Sequence, residues 1–172
     1  LWLSHNRLTG ELPAELGRLR ELLVLDVSKN RLSGELPGEL GRIEGLRVLD
    51  EVGQLQRLRI LLLQKNFLQQ LPPVIDMPAL EVLDASSNSL TGELGLGMLR
   101  SIDHLERLDL SHNLLTGSIS AFVSGFCAWR SGFSGGMLKE LRLNHNRFTG
   151  EIPSCLLQLQ DLEFLTLKLY CS

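Results

Sequence analysis

Residues 108–117 read Leu-Asp-Leu-Ser-His-Asn-Leu-Leu-Thr-Gly, and versions of this ten-residue stretch recur from the first residue of the chain almost to the last. Written as L-x-L-x-x-N-x-L-x-G, the pattern returns at Leu1–Gly10, Leu25–Gly34, Leu83–Gly92 and Leu141–Gly150, and a copy without the glycine spans Leu61–Leu71. Ala85 replaces the second leucine in the Leu83–Gly92 copy, and Val27 and Phe148 stand at leucine positions of two others. The regular step between successive asparagines is 24 residues. A fixed period of this size predicts a solenoid built from stacked repeats.

In each copy, the leucines five and three residues before the asparagine alternate with polar residues. This alternation predicts a short strand whose leucines point into the core, and one strand per repeat predicts a parallel sheet. The asparagine side chain can bond backbone groups of adjacent turns. We therefore expect a hydrogen-bonded ladder formed by Asn6, Asn30, Asn66, Asn88, Asn113 and Asn146.

The segment after the asparagine reads x-L-T/S-G-E-L/I-P, as at Leu8–Pro13, Leu32–Pro37 and Phe148–Pro153. With it, the repeat resembles the plant-specific class of leucine-rich repeat found in receptor-like kinases, receptor-like proteins and polygalacturonase inhibitors. The resemblance implies an α/β fold, a right-handed leucine-rich repeat solenoid (horseshoe) with a parallel concave β-sheet and short helical or irregular convex segments. It also implies a second short strand on the flank of the solenoid.

We expect a single leucine-rich repeat domain over residues 1–172, with about seven repeats and truncated at both ends, because neither end shows a polar cap. The step from Asn30 to Asn66 is 36 residues, which predicts an irregular repeat at Asp50–Glu51, where a turn is missing. The Asn66 copy is short and lacks the glycine, so its flank is expected to lack the second strand. An aromatic-rich insertion at about 122–137 is expected to pack locally on the convex side, the alternative being a binding island.

Composition excludes several function classes. A net charge of -3 gives no electrostatic support for nucleic-acid binding. No apolar run approaches the ~18 residues of a membrane span, although the resemblance implies such a span in full-length receptors. Three cysteines, Cys127, Cys155 and Cys171, lack the spacing of a zinc site. Cys155 could pair with Cys171, but a buried thiol is favoured at that position.

Solenoids of this kind bind ligands on the concave sheet, where the residues four, two and one before the asparagine and one after it face outward. The residues predicted to contact a ligand are Trp2, His5, Arg7, Asp26, Lys29, Arg31, Lys65, Phe67, Asp84, Asp109, His112, Arg142 and His145. Aromatic anchors among charged groups suit a protein or peptide partner. For the three aspartates, the favoured alternative is that they fill solvated positions typical of the repeat.

Three histidines stand directly before an asparagine: His5, His112 and His145. His112 and His145 should lie about 5 Å apart on adjacent strands, but no third ligand is near, so neither a metal nor another cofactor is predicted. A file of threonines, of the kind that orders water in ice-binding proteins built on this repeat, is interrupted at Gln69 and is not favoured. No phosphate loop, nucleophile elbow or catalytic carboxylate pair occurs, so we predict no catalytic residues and no enzyme.

The resemblance implies noncovalent recognition by the ectodomain of a cell-surface receptor in signalling or plant defence. Its partners would be a protein or peptide ligand and a co-receptor. One alternative is a secreted protein similar to polygalacturonase inhibitors, whose concave face would block an enzyme. A second alternative is a cytoplasmic scaffold, favoured by unpaired cysteines and by the absence of Asn-x-Ser/Thr glycosylation sites.

Overall fold

The computed structural model describes residues 1–40, 57–72, 75–94, 99–100, 104–130 and 138–169. These residues form short parallel strands in successive copies of the sequence pattern. The irregular repeat expected at Asp50–Glu51 lies outside the described residues.

The described strands are short, and each has a fixed place in its repeat. They are β1 Thr9–Gly10, β2 Val24–Asp26, β3 Arg31–Glu35, β4 Ile60–Leu62, β5 Phe67–Gln70, β6 Ile75–Asp76, β7 Val82–Asp84, β8 Leu99–Arg100, β9 Arg107–Asp109, β10 Glu140–Arg142 and β11 Phe164–Thr166. The helical segments are an α-helix, α1 Ile119–Arg130, and the 3-10 helices Ala14–Arg18, Gly38–Leu40 and Ser154–Gln158.

Six strands form one parallel sheet in the order β2-β4-β7-β9-β10-β11. We call it the concave sheet, and Trp2 extends it by a bridge to Asp26. β2 and β4 pair directly, so no further strand separates them. The predicted parallel sheet is confirmed, and the leucines five residues before the asparagine point into the core, where Leu25, Leu61, Leu83, Leu108 and Leu141 are fully buried.

A second parallel sheet, in the order β1-β3-β5, lies on the flank and begins just after the asparagines. It confirms the flanking strand. The expectation that the Asn66 repeat lacks this strand is wrong, because β5 pairs with β3. An extended backbone pairs through its own N–H and C=O groups and does not need the glycine. A register shift between Gly34 and Glu35 accommodates the altered repeat.

The convex side carries the 3-10 helices, and each of them begins directly after a proline. Pro13 has φ -70° and ψ 135°, a backbone that ends the extended segment and starts the turn. Neighbouring 3-10 helices pack closely at Gly17, where a Cβ atom would stand 2.3 Å from the carbonyl oxygen of Glu39. The glycine of the L-G-x-L segment is therefore required by the distance between repeats.

The insertion lengthens one convex segment into the twelve-residue helix α1. Ile119, Phe122 and Val123 are buried in the core, and α1 packs against the 3-10 helix Ser154–Gln158 of the following repeat. Phe122 thus packs locally, whereas the aromatic residues beyond position 124 lie outside the described side chains. A helix here uses the extra residues without disturbing the concave sheet, because β9 and β10 still pair directly.

Five asparagines form a ladder in which each links its repeat to the one before it: Asn30, Asn66, Asn88, Asn113 and Asn146. Their Oδ1 atoms accept hydrogen bonds from backbone N–H groups of the preceding repeat, at 3.0 Å from Leu8, Leu32, Leu68, Leu90 and Leu115. Among the described residues, Asn6 makes only local contacts, with the carbonyl oxygens of Leu3 and Ser4. The Nδ2 group donates to carbonyl oxygens of its own turn and of the preceding repeat, as Asn146 does to Leu143 and Leu110. Buried backbone groups at the strand ends are satisfied in this way.

Cys155 is disulfide-bonded. The buried thiol favoured from the sequence is therefore wrong at this position. The repeat favours a small side chain at this position. A free cysteine and a disulfide-bonded cysteine both meet that requirement, so the repeat pattern does not distinguish them. The side chains of Cys127 and Cys171 lie outside the described part of the chain.

Candidate binding surface

The concave sheet presents the same positions from every repeat. Strand alternation turns the residues four and two before the asparagine outward, and the turn adds the residue directly before it. The residue directly after the asparagine follows this turn, and at Arg31 and Phe67 it begins a flank strand. The residue directly before the asparagine has a left-handed backbone, with φ between 53° and 58° at Lys29, Lys65, Ser87, His112, His145 and, at 56°, His5. This turn keeps the charged and imidazole side chains at these positions exposed.

One further outward position lies six residues before the asparagine, and it was not predicted from the sequence. The residues there lie side by side across the sheet and are Val24, Ile60, Val82, Arg107, Glu140 and Phe164. The same period of two that predicts the other positions, continued by one step, would have found them. They add aliphatic side chains to the N-terminal half of the concave surface, at Val24, Ile60 and Val82. They add charged side chains to its C-terminal half, at Arg107 and Glu140.

Four cations form what we call the basic rim: Arg7, Lys29, Arg31 and Lys65. All four are exposed and come from the repeats of Asn6, Asn30 and Asn66. Lys29 Nζ lies 2.8 Å from Nε2 of His5, and this contact brings no carboxylate to the rim. Within the described residues, none of the four forms an ion pair.

Apolar groups lie beside the basic rim. Trp2 is 70% exposed and Phe67 is 56% exposed, so both side chains are available to a partner. A half-buried group of aliphatic side chains, which we call the aliphatic strip, consists of Val24, Ile60, Leu62 and Val82. Val24, Ile60 and Val82 begin their strands, and Leu62 ends β4. Basic and apolar groups thus share the N-terminal half of the surface.

The three concave aspartates are not solvated, which corrects the sequence-based expectation. Asp26, Asp84 and Asp109 are buried, and in each the Oδ1 atom accepts a hydrogen bond at 3.0 Å from the N–H of the serine two residues later. The serine hydroxyl also donates at 2.7 Å to Asp84 and at 2.6 Å to Asp109. These carboxylates brace the end of their own strand.

Two of these aspartates have opposite pKa shifts. Burial raises the pKa of Asp84, and the negative charge of Asp109 adds to the effect, while hydrogen bonds from Ser86 oppose it. Burial also acts to raise the pKa of Asp26, but hydrogen bonds from Ser28 outweigh it, and the pKa is lowered.

The sign of each shift sets its effect on stability. Ionised Asp84 costs stability, and the cost grows as the pH rises from the unfolded pKa through the raised folded pKa. Ionised Asp26 contributes stability above its unfolded pKa, which is lost as the pH falls through the lowered folded pKa.

The C-terminal half of the surface carries a network of opposite charges. Arg107 lies 3.8 Å from Asp84, 3.9 Å from Asp109 and 3.2 Å from Glu140. Arg142 pairs with Glu140 and lies 4.0 Å from Asp109. The Arg142 guanidinium also stands 5.3 Å from the centroid of the Phe164 ring, within the range of a cation–π contact. Charge in this half is therefore largely compensated within the protein.

His112 and His145 are brought together, with ring centroids 4.1 Å apart and planes within 9°. Nδ1 of His145 also lies 2.7 Å from Nδ2 of Asn144. Stacked rings direct their nitrogen lone pairs outward in parallel planes, which does not suit two ligands of one metal ion. In the part of the chain that the structure describes, no group of three or more potential metal ligands occurs.

Arg147, directly after Asn146, is exposed, and the threonine file lies on the flank. Thr91 and Thr116 donate from Oγ1 to backbone carbonyls of the preceding repeat at 3.3 and 3.2 Å. Their hydroxyls thus connect repeats. None of the described helices combines the length and the hydrophobicity needed to cross a bilayer.

Two sequence models described as leucine-rich repeats match the chain, one over residues 56–117 and the other over residues 1–19, 21–43 and 137–159. No curated protein matches the sequence.

Solved structures show the same fold. The plant peptide hormone receptor RGFR1, in complex with RGF2, is 29% identical with a TM-score of 0.71, over 94% of this chain and 22% of that chain. The Arabidopsis receptor kinase HAESA, in complex with the peptide hormone IDA and the co-receptor SERK1, is 27% identical with a TM-score of 0.73, over 99% and 25%. The ectodomain of the Arabidopsis thaliana receptor kinase SOBIR1 is 28% identical with a TM-score of 0.62, over 84% and 68%.

The chain therefore spans about a quarter of the length of the first two receptors. The similarity confirms the predicted α/β solenoid. It is a similarity to ligand-binding ectodomains of plant receptors and not to enzymes.

Proposed function

Since this chain belongs to the leucine-rich repeat family, we propose that it binds a protein or peptide ligand noncovalently on its concave sheet, as part of a cell-surface receptor. The exposed side chains of the concave sheet carry this proposal. The sheet backbone is paired from strand to strand, so a ligand meets side chains and not free backbone groups. Exposed aromatic anchors among cations are typical of protein and peptide interfaces.

The similar structures support the same function. RGFR1 and HAESA were solved with peptide hormones, and HAESA also with a co-receptor. By analogy, this chain contributes one segment of a longer ligand-binding solenoid and signals through a partner receptor. No catalytic step is assigned to it.

The disulfide at Cys155 favours an extracellular location. Disulfides persist in oxidising compartments and are rare in the cytosol. This observation weighs against the cytoplasmic scaffold, one of whose arguments is that the cysteines are free. The extracellular location is tested by alkylating the cysteines in extracts of the source tissue without prior reduction. A blocked Cys155 supports the extracellular location, and an alkylated Cys155 contradicts it.

The binding function is tested by selecting a random twelve-residue peptide display library on the protein. Each enriched peptide is then measured on the concave variant Trp2→Ala/Lys29→Ala/Arg31→Ala/Phe67→Ala. We expect most enriched peptides to bind this variant at least ten-fold more weakly, because their contacts lie on the concave sheet.

A matched control removes the same kinds of side chain elsewhere. Arg18, Leu19, Arg57 and Ile152 are exposed and lie off the concave surface, so the quadruple alanine variant at these positions should bind the peptides like the wild type. Circular dichroism establishes that both variants are folded. Equal binding to the concave variant and to the wild type would contradict the proposed function.

A further inference from the structure

The unpaired cations of the concave surface point to one class of ligand. Resting on the proposed function, we propose that the basic rim binds an acidic peptide segment, and that the aliphatic strip takes apolar side chains of the same segment. The rim consists of Arg7, Lys29, Arg31 and Lys65, and the strip of Val24, Ile60, Leu62 and Val82.

Charge is segregated on this surface. Asp26 is the only carboxylate at the outward positions of the repeats of Asn6, Asn30 and Asn66, so the rim's four cations leave a local charge of 4 - 1 = +3. The whole chain carries -3. Asp26 is moreover buried and occupied by hydrogen bonds from its own strand. The rim therefore attracts anions although the protein as a whole repels them.

The rim cations also repel one another. Lys29 and Lys65 occupy the same position in the turns that follow the paired strands β2 and β4, and adjacent strands are about 4.8 Å apart. Arg7 and Arg31 occupy the same position of successive repeats, although the strand partner of Arg31 is Thr9. Like charges directly across a sheet are destabilising. Three cations elsewhere on the exposed surface face carboxylates, in the pairs Arg57 with Glu21, Arg59 with Glu81 and Lys139 with Glu106. Arg18 and Arg147 are exposed and form no ion pair among the described residues. An anionic ligand would supply the counter-charge that the rim lacks.

The dimensions fit a short extended segment. Three strands at about 4.8 Å spacing make the rim about 10 Å long, which three to four extended residues cover at about 3.3 Å each. On β4 and its turn, Leu62 and Lys65 are three residues apart, again about 10 Å. A segment that crosses the surface along a strand should thus carry acidic and aliphatic residues about three positions apart.

The aliphatic strip distinguishes a peptide from an acidic carbohydrate. Flat aromatic faces such as those of Trp2 and Phe67 accept sugar rings as well as apolar side chains. The branched Val, Ile and Leu side chains of the strip instead bury apolar side chains of similar shape. The strip faces the same side of the sheet as the rim. Val24, Ile60 and Leu62 lie on β2 and β4, the strands that precede Lys29, Arg31 and Lys65, and Val82 lies beside Ile60 on the adjoining strand β7. An acidic peptide with aliphatic residues satisfies both groups.

The test uses the peptides enriched by the display selection. Their sequences should contain more Asp and Glu than the input library, and a rim variant, Arg7→Gln/Lys29→Gln/Arg31→Gln/Lys65→Gln, should bind them at least ten-fold more weakly. The control Arg18→Gln/Arg57→Gln/Arg59→Gln/Lys139→Gln makes the same change in charge and should bind like the wild type. Binding should weaken between 50 and 500 mM NaCl, because salt screens exposed charges.

Three outcomes overturn the proposal. The acidic-peptide proposal is refuted if the enriched peptides show no acidic bias and bind the rim variant as tightly as the wild type. If those peptides still bind the alanine concave variant more weakly, the proposed binding function stands. Equal weakening by the rim variant and by the charge-matched control would show a general effect of net charge. Tighter binding of an oligogalacturonate probe than of the enriched peptides, abolished in the rim variant, would assign the rim to an acidic carbohydrate.

Discussion

Replacing Asn113 by alanine should show how much the asparagine ladder contributes to stability. Asn113 is 5% exposed. Its Oδ1 accepts a hydrogen bond from the Leu90 N–H at 3.0 Å. Its Nδ2 group contacts the carbonyl oxygens of Ala85, Leu110 and Ser111 at 3.0, 3.1 and 3.2 Å. The substitution removes all four contacts and leaves the strands in place.

The loss of unfolding free energy in Asn113→Ala depends on which backbone groups lose their only hydrogen-bond partner. Each of the three carbonyls accepts a second hydrogen bond from a neighbouring amide, so none becomes unsatisfied. The Leu90 N–H has no second acceptor among the described residues. A buried donor without a partner costs about 1–3 kcal/mol, and the weakened carbonyls add about 1 kcal/mol together. We expect Asn113→Ala to lower the free energy of unfolding by about 2–4 kcal/mol.

The matched control is Asn6→Ala. Asn6 is exposed and donates to the carbonyls of Leu3 and Ser4, but no backbone N–H of the described residues donates to its Oδ1. Its loss should cost less than about 1 kcal/mol, because water replaces these contacts. Urea unfolding followed by circular dichroism gives both free energies. Hydrogen exchange of the Leu90 amide should accelerate in Asn113→Ala and not in Asn6→Ala.

Similar losses in the two variants would refute this account of the ladder. So would an unchanged exchange rate of the Leu90 amide in Asn113→Ala, since that amide has Asn113 as its acceptor. Either result would mean that leucine packing alone holds the repeats in register.

Three further predictions follow from the same structure. Asp84→Asn should stabilise the protein at pH 7 but not at pH 3, because burial raises the pKa of Asp84. Asp26→Asn should destabilise the protein at pH 7, because hydrogen bonds lower the pKa of Asp26. Urea unfolding at both pH values checks the signs, and equal effects of the two substitutions would contradict them. Gly17→Ala should cost about 3 kcal/mol, because its Cβ would overlap the backbone carbonyl of Glu39. Gly92→Ala, with φ +94° and open space around it, should cost only about 1–2 kcal/mol of backbone strain. Thermal unfolding should therefore show the larger loss for Gly17→Ala, and an equal or smaller loss would contradict the close packing at Gly17. Dithiothreitol should lower the unfolding free energy by roughly 2–4 kcal/mol in the wild type and leave Cys155→Ser unaffected, so an equal response of both proteins would rule out a stabilising disulfide.

The concave sheet could be predicted because burial imposes a strict period. Leu108 and Leu110 must both reach the core from one strand, so their spacing fixes the strand, its inward face and its repeat. The position six residues before the asparagine was missed because Val24, Ile60 and Val82 are apolar there, as inward residues would be, although the alternation continues through them. The strand β5 was missed for a different reason. A missing glycine was taken to remove the strand, but backbone pairing does not depend on it.

The buried aspartates show a limit of reasoning from residue type. An aspartate on an outward strand position is expected to be solvated, yet Asp26, Asp84 and Asp109 are each covered and bonded by a serine two residues later. The Asp-x-Ser spacing was visible in the sequence. Its energetic meaning depends on neighbouring strands, which supply the burial. The disulfide at Cys155 likewise depends on which side chains meet in space.

The two halves of the concave surface differ in what they offer a ligand. At the C-terminal half, Arg107 and Arg142 already face carboxylates, so a ligand would have to displace existing partners and would gain only the difference. At the N-terminal half, the basic rim has no internal carboxylate partner among the described residues, and each ion pair with a ligand is a net addition. An acidic ligand therefore gains most of its binding free energy on the repeats of Asn6, Asn30 and Asn66. The C-terminal half, with its own charges compensated, favours a neutral or mixed-charge extension of the same ligand.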